Sequence, residues 1–132
     1  MFKKIKYFLN TMNLTYQKIT ATIVNQLKQI IDEEDIFLDD DNLEKYGKDE
    51  TEDLIYKPEV ILKPKTVLQI SEIMKLANTL KIPVTVRGAG TGLSGGALPI
   101  FGGIIISMER FNTILNIDER NLQATITLFK KK

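Results

Sequence analysis

Apolar residues recur at helical spacing in two parts of the chain. In residues 15–31, five of them repeat every three or four positions: Ile19, Ile23, Leu27, Ile30 and Ile31. In the segment that follows Lys65, six apolar residues are expected on the inner side of a second helix: Leu68, Ile70, Ile73, Leu76, Ala77 and Leu80. Thr15 and Thr66 are the predicted N-caps, and Pro83 prevents the second helix from continuing.

Short β-branched or continuous apolar runs predict strands at 59–63, 84–87, 104–107, 114–118 and 123–128. The run Ile104-Ile105-Ile106 has no polar alternation, so this strand is expected to be buried on both faces. The order of elements predicts an α/β (α+β) fold. It is expected to contain a small β-α-β unit, with a right-handed crossover from Val60 to Val86, after the first helix.

Composition narrows the possible chemistry. The 132 residues suit one small domain or part of a larger one, and the formal net charge of +1 gives no overall field that would attract nucleic acid. The absence of Cys and His excludes disulfides, thiolate chemistry and His-based triads. No apolar run approaches the roughly 20 residues of a membrane helix, so a cytoplasmic protein without a membrane span is expected.

Acidic residues are concentrated between Asp32 and Asp53, where twelve carboxylates accompany two lysines. Such a cluster is a candidate cation site, but it lacks the glycine and the ligand alternation of a calcium loop. A solvated loop or helix end is the favoured interpretation, and no metal site is predicted. Three regions are expected: an unstructured or mis-started terminus at 1–14, a helix and acidic segment at 15–53, and a ligand-binding unit at 54–132.

The candidate chemistry lies in a glycine-rich run that directly follows the strand at 84–87. Five of the ten residues from Arg87 to Gly96 are glycine, and Thr91 and Ser94 add hydroxyl groups. Glycine permits positive φ and close approach of a ligand, and successive N–H groups in such loops converge on anionic oxygens. The run therefore predicts a phosphate or pyrophosphate site, with the Arg87 guanidinium at its mouth.

Two known phosphate motifs fit this run poorly. The P-loop pattern fails because Gly96 and Ala97 stand where Lys and Ser/Thr are required. The dinucleotide pattern G-x-G-x-x-G is met by Gly90, Gly92 and Gly95, but residues 97–103 do not form the helix that this motif needs. A turn-rich connection without a ligand is the remaining alternative.

Residues 81–99, KIPVTVRGAGTGLSGGALP, resemble the pyrophosphate loop of FAD-linked oxidases with the vanillyl-alcohol-oxidase/PCMH-type fold. Within that superfamily the run is most similar to the glycolate oxidase FAD-linked subunit and related D-lactate dehydrogenases. Residues 46–49, 58–66 and 102–112 support the resemblance, which extends from about Val24 to Ile126. It implies the N-terminal half of a PCMH-type FAD-binding domain.

The resemblance also implies FAD as the cofactor and a set of binding residues. These are Pro64, Arg87, Gly88, Ala89, Gly90, Thr91, Gly92, Leu93, Ser94, Gly95 and Gly96. The glycine run would supply backbone N–H groups to the pyrophosphate, and Pro64 would help to wall the site. No catalytic residue is expected within the chain.

The sequence departs from the family after Ile126, where relatives have an acidic-Pro-Gly turn and continue for several times this length. The chain is therefore expected to be a truncated, inactive part of a flavin-dependent 2-hydroxy-acid oxidoreductase. One alternative is a nucleotide-binding half-domain that pairs with a separately encoded remainder. Another is a non-functional remnant that leaves a sheet face uncovered, exposes Ile104-Ile105-Ile106 and aggregates.

Overall fold

The computed structural model describes residues 15–51 and 54–126. In chain order the elements are α1 (Ala21–Leu27), a short 3-10 helix (Glu33–Asp35), β1 (Ile36–Phe37), α2 (Asp40–Tyr46), β2 (Val60–Leu62), α3 (Val67–Leu80), β3 (Val84–Arg87), β4 (Ile104–Ser107), β5 (Ile114–Asp118) and β6 (Gln123–Ile126). This mixture of helices and strands confirms the expected α/β class. The expectations for residues 1–14 and for the last two residues of the strand at 123–128 lie outside the described residues.

A four-stranded sheet in the order β1-β2-β4-β3 organises the fold. β4 is parallel to both of its neighbours, and β1 is antiparallel to β2. The chain passes from β2 through α3 to β3, and β4 later enters between these two strands. Because β2, β3 and β4 are parallel, they end at the same edge of the sheet, which we call the carboxyl edge.

Both faces of this sheet are covered. On one face Ile23 and Leu27 of α1 and Ile73 of α3 pack against apolar side chains of β2 and β4. On the other face Leu43 and Tyr46 of α2 pack against the central strands. The three isoleucines of β4 are fully buried, as the sequence predicted. The expectation that they would be exposed in a remnant is wrong, because α2 covers the second face.

The first helix begins five residues later than the sequence predicted. Thr20, not Thr15, is the N-cap, and its side chain accepts a hydrogen bond from the N–H of Ile23. The preceding residues are held in a non-helical conformation by distant partners. The Gln17 N–H donates to the Lys81 carbonyl at 3.1 Å, and the Ile19 N–H donates to Glu59 Oε2 at 2.7 Å.

α2 was not predicted, because its acidic sequence was interpreted as a solvated loop or helix end. Asp39 caps the helix by accepting a hydrogen bond from the Asn42 N–H at 3.0 Å. Asp40 and Asp41 then occupy the first turn, where the helix dipole favours negative charge. The cap and the dipole give an acidic run a reason to be helical, and Leu43 and Tyr46 anchor it to the sheet.

α3 matches its predicted start, and Thr66 forms a capping box with Gln69. The helix ends before Lys81, which adopts a left-handed conformation with φ of 57°. Fewer residues of this helix are buried than the sequence predicted. Ile73 and Ala77 are buried, whereas Leu68 is 79% exposed, because it lies in the first turn on the solvent side.

The acidic cluster is occupied by a cation of the protein itself. The Lys65 ammonium lies 2.8 Å from a carboxylate oxygen of Asp32, 3.0 Å from one of Glu34 and 2.8 Å from one of Asp35. These three hydrogen-bonded carboxylates raise the pKa of Lys65. A metal ion at this position would have to displace the ammonium group.

Asp35 also connects the ends of two parallel strands. It is fully buried and immediately precedes β1. It bonds Lys65, which follows β2, and Arg110, which follows β4. The distance from Arg110 Nη2 to Asp35 Oδ1 is 2.6 Å. Burial by itself would raise the pKa of Asp35, but the hydrogen bonds from Lys65 and Arg110 outweigh it and lower the pKa.

β5 and β6 form a separate antiparallel hairpin after the sheet. Several of its apolar side chains are exposed: Ile114, Leu115, Ile117, Leu122 and Ile126. Among the described residues, no helix has the length and apolar character needed to cross a bilayer.

Replacing Ile105 with Ala should lower the free energy of unfolding by about 3 kcal/mol, because it leaves a cavity between two covered sheet faces. The matched control is Leu122→Ala in the exposed hairpin, for which we expect a change within about 0.5 kcal/mol. Urea unfolding followed by circular dichroism measures both values. Equal losses in the two variants would contradict the burial of β4.

Replacing Asp35 with Asn should destabilise the protein at neutral pH and reduce its sensitivity to acid. Since folding lowers the pKa of Asp35, its contribution is complete at neutral pH. It is lost as the pH falls below about 4. Urea unfolding at neutral pH and near pH 3 should therefore show a smaller acid-induced loss for Asp35→Asn than for the unchanged chain. The exposed Glu119→Gln is the control, and identical acid-induced losses in all three proteins would contradict this role.

Candidate functional site

The glycine run predicted from the sequence lies at the carboxyl edge, immediately after β3. We call residues 88–96 the glycine loop. No helix begins within this loop or in residues 97–103, which agrees with the rejection of a Rossmann-type site. Pro64, which is less than 2% exposed, follows β2 at the same edge. Ser107 ends β4 there, paired with Arg87 of β3. Ligands of sheets with parallel strands bind outside such carboxyl ends.

Most of the backbone donors in the glycine loop are free to bind a ligand. Within the described part of the chain, the N–H groups of the seven residues 88–94 have no hydrogen-bond acceptor. Thr91 and Ser94 are exposed, so their hydroxyl groups are accessible beside these donors. A run of neighbouring, accessible N–H groups is the arrangement that binds anionic oxygens.

The glycines of the loop serve two different purposes. Gly90 and Gly95 have φ of 74° and 71°, a conformation that residues with a side chain rarely adopt. Gly92 and Gly96 instead face open space. A Cβ on Gly92 would meet its first neighbour at 4.0 Å, and one on Gly96 would meet no atom within 4 Å. A ligand can therefore approach the backbone closely at these two positions.

Arg87 folds back against the protein beneath the loop. Its Nη1 donates to the Lys48 carbonyl at 2.7 Å and to the Tyr46 carbonyl at 3.5 Å, and the guanidinium carbon lies 5.4 Å from the centre of the Tyr46 ring. The guanidinium also fills the space beside Gly90, where a Cβ would come within 2.0 Å of Nη2. Arg87 is thus adjacent to the loop and bonded to the last residue of α2 and to Lys48 just beyond it.

Two residues outside the predicted set contact the glycine loop or its support. The Thr51 hydroxyl accepts a hydrogen bond from the Gly95 N–H at 2.8 Å, and Asp49 Oδ1 accepts one from the Thr51 N–H at 2.9 Å. Asp49 belongs to the stretch 46–49 that supported the family resemblance, but nothing in the sequence assigned it a contact. Thr51 is 44 positions from Gly95, so no local pattern indicates this hydrogen bond.

Burial alone would raise the pKa of Asp49. The hydrogen bonds from Thr51 and from the Ala97 N–H, together with the nearby charge of Arg87, outweigh burial and lower the pKa of this carboxyl group. Asp49 is therefore ionised at neutral pH and balances Arg87 behind the loop.

A second polar network joins α2 to the ends of β2 and β4. The Tyr46 hydroxyl donates to Glu109 at 2.5 Å, and the Lys63 ammonium donates to the same carboxylate at 3.0 Å. Lys63 also lies 5.2 Å from the centre of the Tyr46 ring. Burial, followed by the hydrogen bond to Glu109, raises the pKa of Tyr46, so the phenol remains protonated at neutral pH.

A family model for an FAD binding domain matches residues 58–128, which is more than half of the chain. A D-lactate dehydrogenase from Anaerostipes hadrus is 37% identical over 114 residues, covering 84% of this chain and 23% of that protein. Glycolate oxidase subunit GlcD from Escherichia coli K12 is 52% identical over 44 residues, covering 33% of this chain and 9% of the subunit. The chain thus spans less than a quarter of the length of either relative.

Solved structures show the same fold. An alkyldihydroxyacetonephosphate synthase superposes with a TM-score of 0.72 at 19% identity, over 84% of this chain and 22% of that one. p-Cresol methylhydroxylase with substrate bound superposes with a TM-score of 0.63 at 24% identity, over 76% of this chain and 21% of that one. The fold is therefore that of PCMH-type FAD-binding domains, as expected. The family match establishes FAD as the cofactor, and the chain belongs to the FAD binding domain family.

Proposed function

We propose that the glycine loop binds the diphosphate of FAD, with the hydroxyl groups of Thr91 and Ser94 assisting and Pro64 walling the site. The observation that carries this proposal is the run of seven N–H groups at residues 88–94 that have no hydrogen-bond acceptor among the described residues. The open space at Gly92 and Gly96 allows the diphosphate oxygens to approach these donors. In this proposal Arg87 acts from below the loop, since its Nη1 is already bonded to Lys48 and Tyr46.

We further propose that the chain is part of a flavin-dependent oxidoreductase that acts on 2-hydroxy acids. The names of the D-lactate dehydrogenase and glycolate oxidase relatives support this substrate class. FAD, when bound, supplies the redox chemistry as the acceptor of a hydride equivalent, and the protein orients it. The relatives are several times longer, and this sequence contains no His, so we propose that the chain is truncated and inactive by itself.

Within this proposal, residues 54–132 are the partial FAD-binding domain, and residues 15–53 contribute the first helix and the acidic segment. Both parts supply side chains to one core, since Ile23 and Leu27 pack against β2 and β4. The residues that bind and deprotonate the 2-hydroxy acid would lie in the part of the relatives that this chain does not match.

A second candidate is a half-domain that pairs with a separately supplied remainder of the enzyme. The β5–β6 hairpin favours it, because its exposed apolar side chains form a surface of the kind that protein contacts cover. Two of them, Leu115 and Ile117, are 61% and 62% exposed. FAD that is retained by the chain alone would favour this half-domain, whereas a preparation without bound flavin would favour a truncated part of an enzyme.

Replacing Gly92 with Val should weaken FAD binding more than tenfold, because the side chain would enter the space through which the diphosphate approaches. The variant should still fold, since Gly92 has open surroundings. The flavin absorbance retained after removal of excess FAD gives a first result, and titration followed by flavin fluorescence gives the affinity.

The control for this experiment is Ala124→Val, which adds bulk to an exposed strand of the hairpin. It should leave FAD affinity unchanged. Equal affinities for Gly92→Val and the unchanged chain would contradict the proposed site. If the unchanged chain retains no FAD, the same titration is made with the remainder of the A. hadrus D-lactate dehydrogenase added as a separate polypeptide.

A further inference from the structure

The glycine loop and the Arg87 side chain next to it are contacted by residues 46–51, the segment that begins at the last residue of α2. We propose that Thr51 and Asp49 in this segment are positioning residues that fix the loop in its ligand-binding conformation. Their role in cofactor binding rests on the proposed function. The contacts that they make with the loop are independent of that function. These contacts therefore admit a test of their own.

Thr51 determines the position of Gly95. The hydroxyl oxygen accepts the Gly95 N–H at 2.8 Å, and Gly95 is buried with φ of 71°. A buried N–H group that loses its acceptor is destabilised, so this contact favours the observed backbone conformation. In the same part of the chain, the Leu98 N–H donates to the Gly95 carbonyl at 3.2 Å. Gly95 is thus held through both its donor and its acceptor.

Asp49 in turn holds Thr51. Its Oδ1 accepts the Thr51 N–H at 2.9 Å. Its Oδ2 is buried and lies 4.0 Å from the position that a Cβ on Gly92 would take. The carboxylate therefore lies on the side of Gly92 to which a side chain would point, next to the open space. A negative charge in this place would oppose a diphosphate, but the neighbouring Arg87 guanidinium offsets it.

The supporting segment is itself anchored on both sides. The Tyr56 N–H donates to the Gly47 carbonyl at 2.8 Å, and a Cβ on Gly47 would come within 2.7 Å of the Tyr56 carbonyl oxygen. The Lys48 carbonyl accepts a hydrogen bond from Arg87 Nη1 at 2.7 Å. Residues 46–51 thus form a fixed support between the end of α2 and the start of the loop.

Such a support answers a specific difficulty of the loop. Glycine loses more conformational entropy on ordering than any other residue, and this loop contains five glycines in nine positions. A loop that leaves its N–H groups free for a ligand must be ordered by other contacts. The Thr51–Gly95 hydrogen bond orders it before the cofactor arrives and so reduces the entropy lost on binding.

The proposal is tested by amide hydrogen exchange, measured by NMR on the full chain without cofactor. In the unchanged protein the Gly95 N–H should exchange more slowly than those of residues 88–94. Thr51→Val removes the acceptor at nearly constant volume and should reduce the protection of Gly95 about tenfold. Thr51→Ser keeps the acceptor and should retain most of the protection.

Thr79→Val is the matched control, because it removes a hydroxyl group that bonds the Lys75 carbonyl on the exposed side of α3. It should leave Gly95 protected, and the amides of β4 should remain protected in every variant. Undiminished Gly95 protection in Thr51→Val would overturn the proposal. Loss of β4 protection together with that of Gly95 would also overturn it, since Thr51 would then stabilise the whole fold.

FAD titration of the same variants tests the consequence for binding. Thr51→Val should bind FAD about fivefold more weakly than the unchanged chain, whereas Thr51→Ser and Thr79→Val should bind it nearly as well. Equal affinity in Thr51→Val despite lost Gly95 protection would overturn the positioning role. If no protein in the series binds FAD, even with the remainder of the enzyme added, the proposed function fails, and the exchange experiment still decides whether Thr51 holds the loop.

Discussion

The structure depends on the parallel pairing of β4 between β2 and β3. A strand in this position is buried on both faces, and its sequence, Ile-Ile-Ile-Ser, has no polar side that could face water. The chain must therefore supply two layers. α1 and α3 provide one, and the short acidic helix α2 provides the other through Leu43 and Tyr46. Covering the second face thus brings the end of α2 next to the carboxyl edge.

That placement has chemical consequences at the carboxyl edge. The loops that follow the parallel strands meet at this edge, and charged side chains from distant parts of the chain connect them. Asp35 joins the segments after β2 and β4 through Lys65 and Arg110. Glu109, in turn, is bonded by Tyr46 and Lys63. These partly buried pairs have value chiefly as geometric constraints, because desolvation offsets much of the attraction between opposite charges.

The sequence predicted the features that arise from neighbouring residues. Thr66 and Gln69 are three positions apart, so their capping box could be anticipated, and the apolar run of β4 and the glycine loop are equally local. Predictions were wrong or missing where contacts between residues far apart in the sequence determine the local structure. Thr15 is not the N-cap, because Gln17 and Ile19 are bonded to residues 40 or more positions away. α2 has a local signal in its Asp39 cap and acidic first turn, but its packing on the sheet is a contact between distant residues. The support of the glycine loop by Thr51 is likewise a distant contact that no local pattern indicates.

A phosphate-binding loop has two requirements: free donors in open space, and a defined shape. The first arises from neighbouring residues and the second from distant contacts. Free donors and open space are properties of the loop sequence itself, since glycine supplies both. The loop sequence does not by itself give the loop a defined shape, because the same glycines permit many conformations. The loop contains few side chains that could order it, so the ordering contacts must come from another segment. In this protein residues 46–51 fill that role, and the end of α2 carries them to the loop because Leu43 and Tyr46 are needed to cover the sheet. The packing requirement of β4 and the geometric requirement of the loop are therefore met by one short stretch of chain.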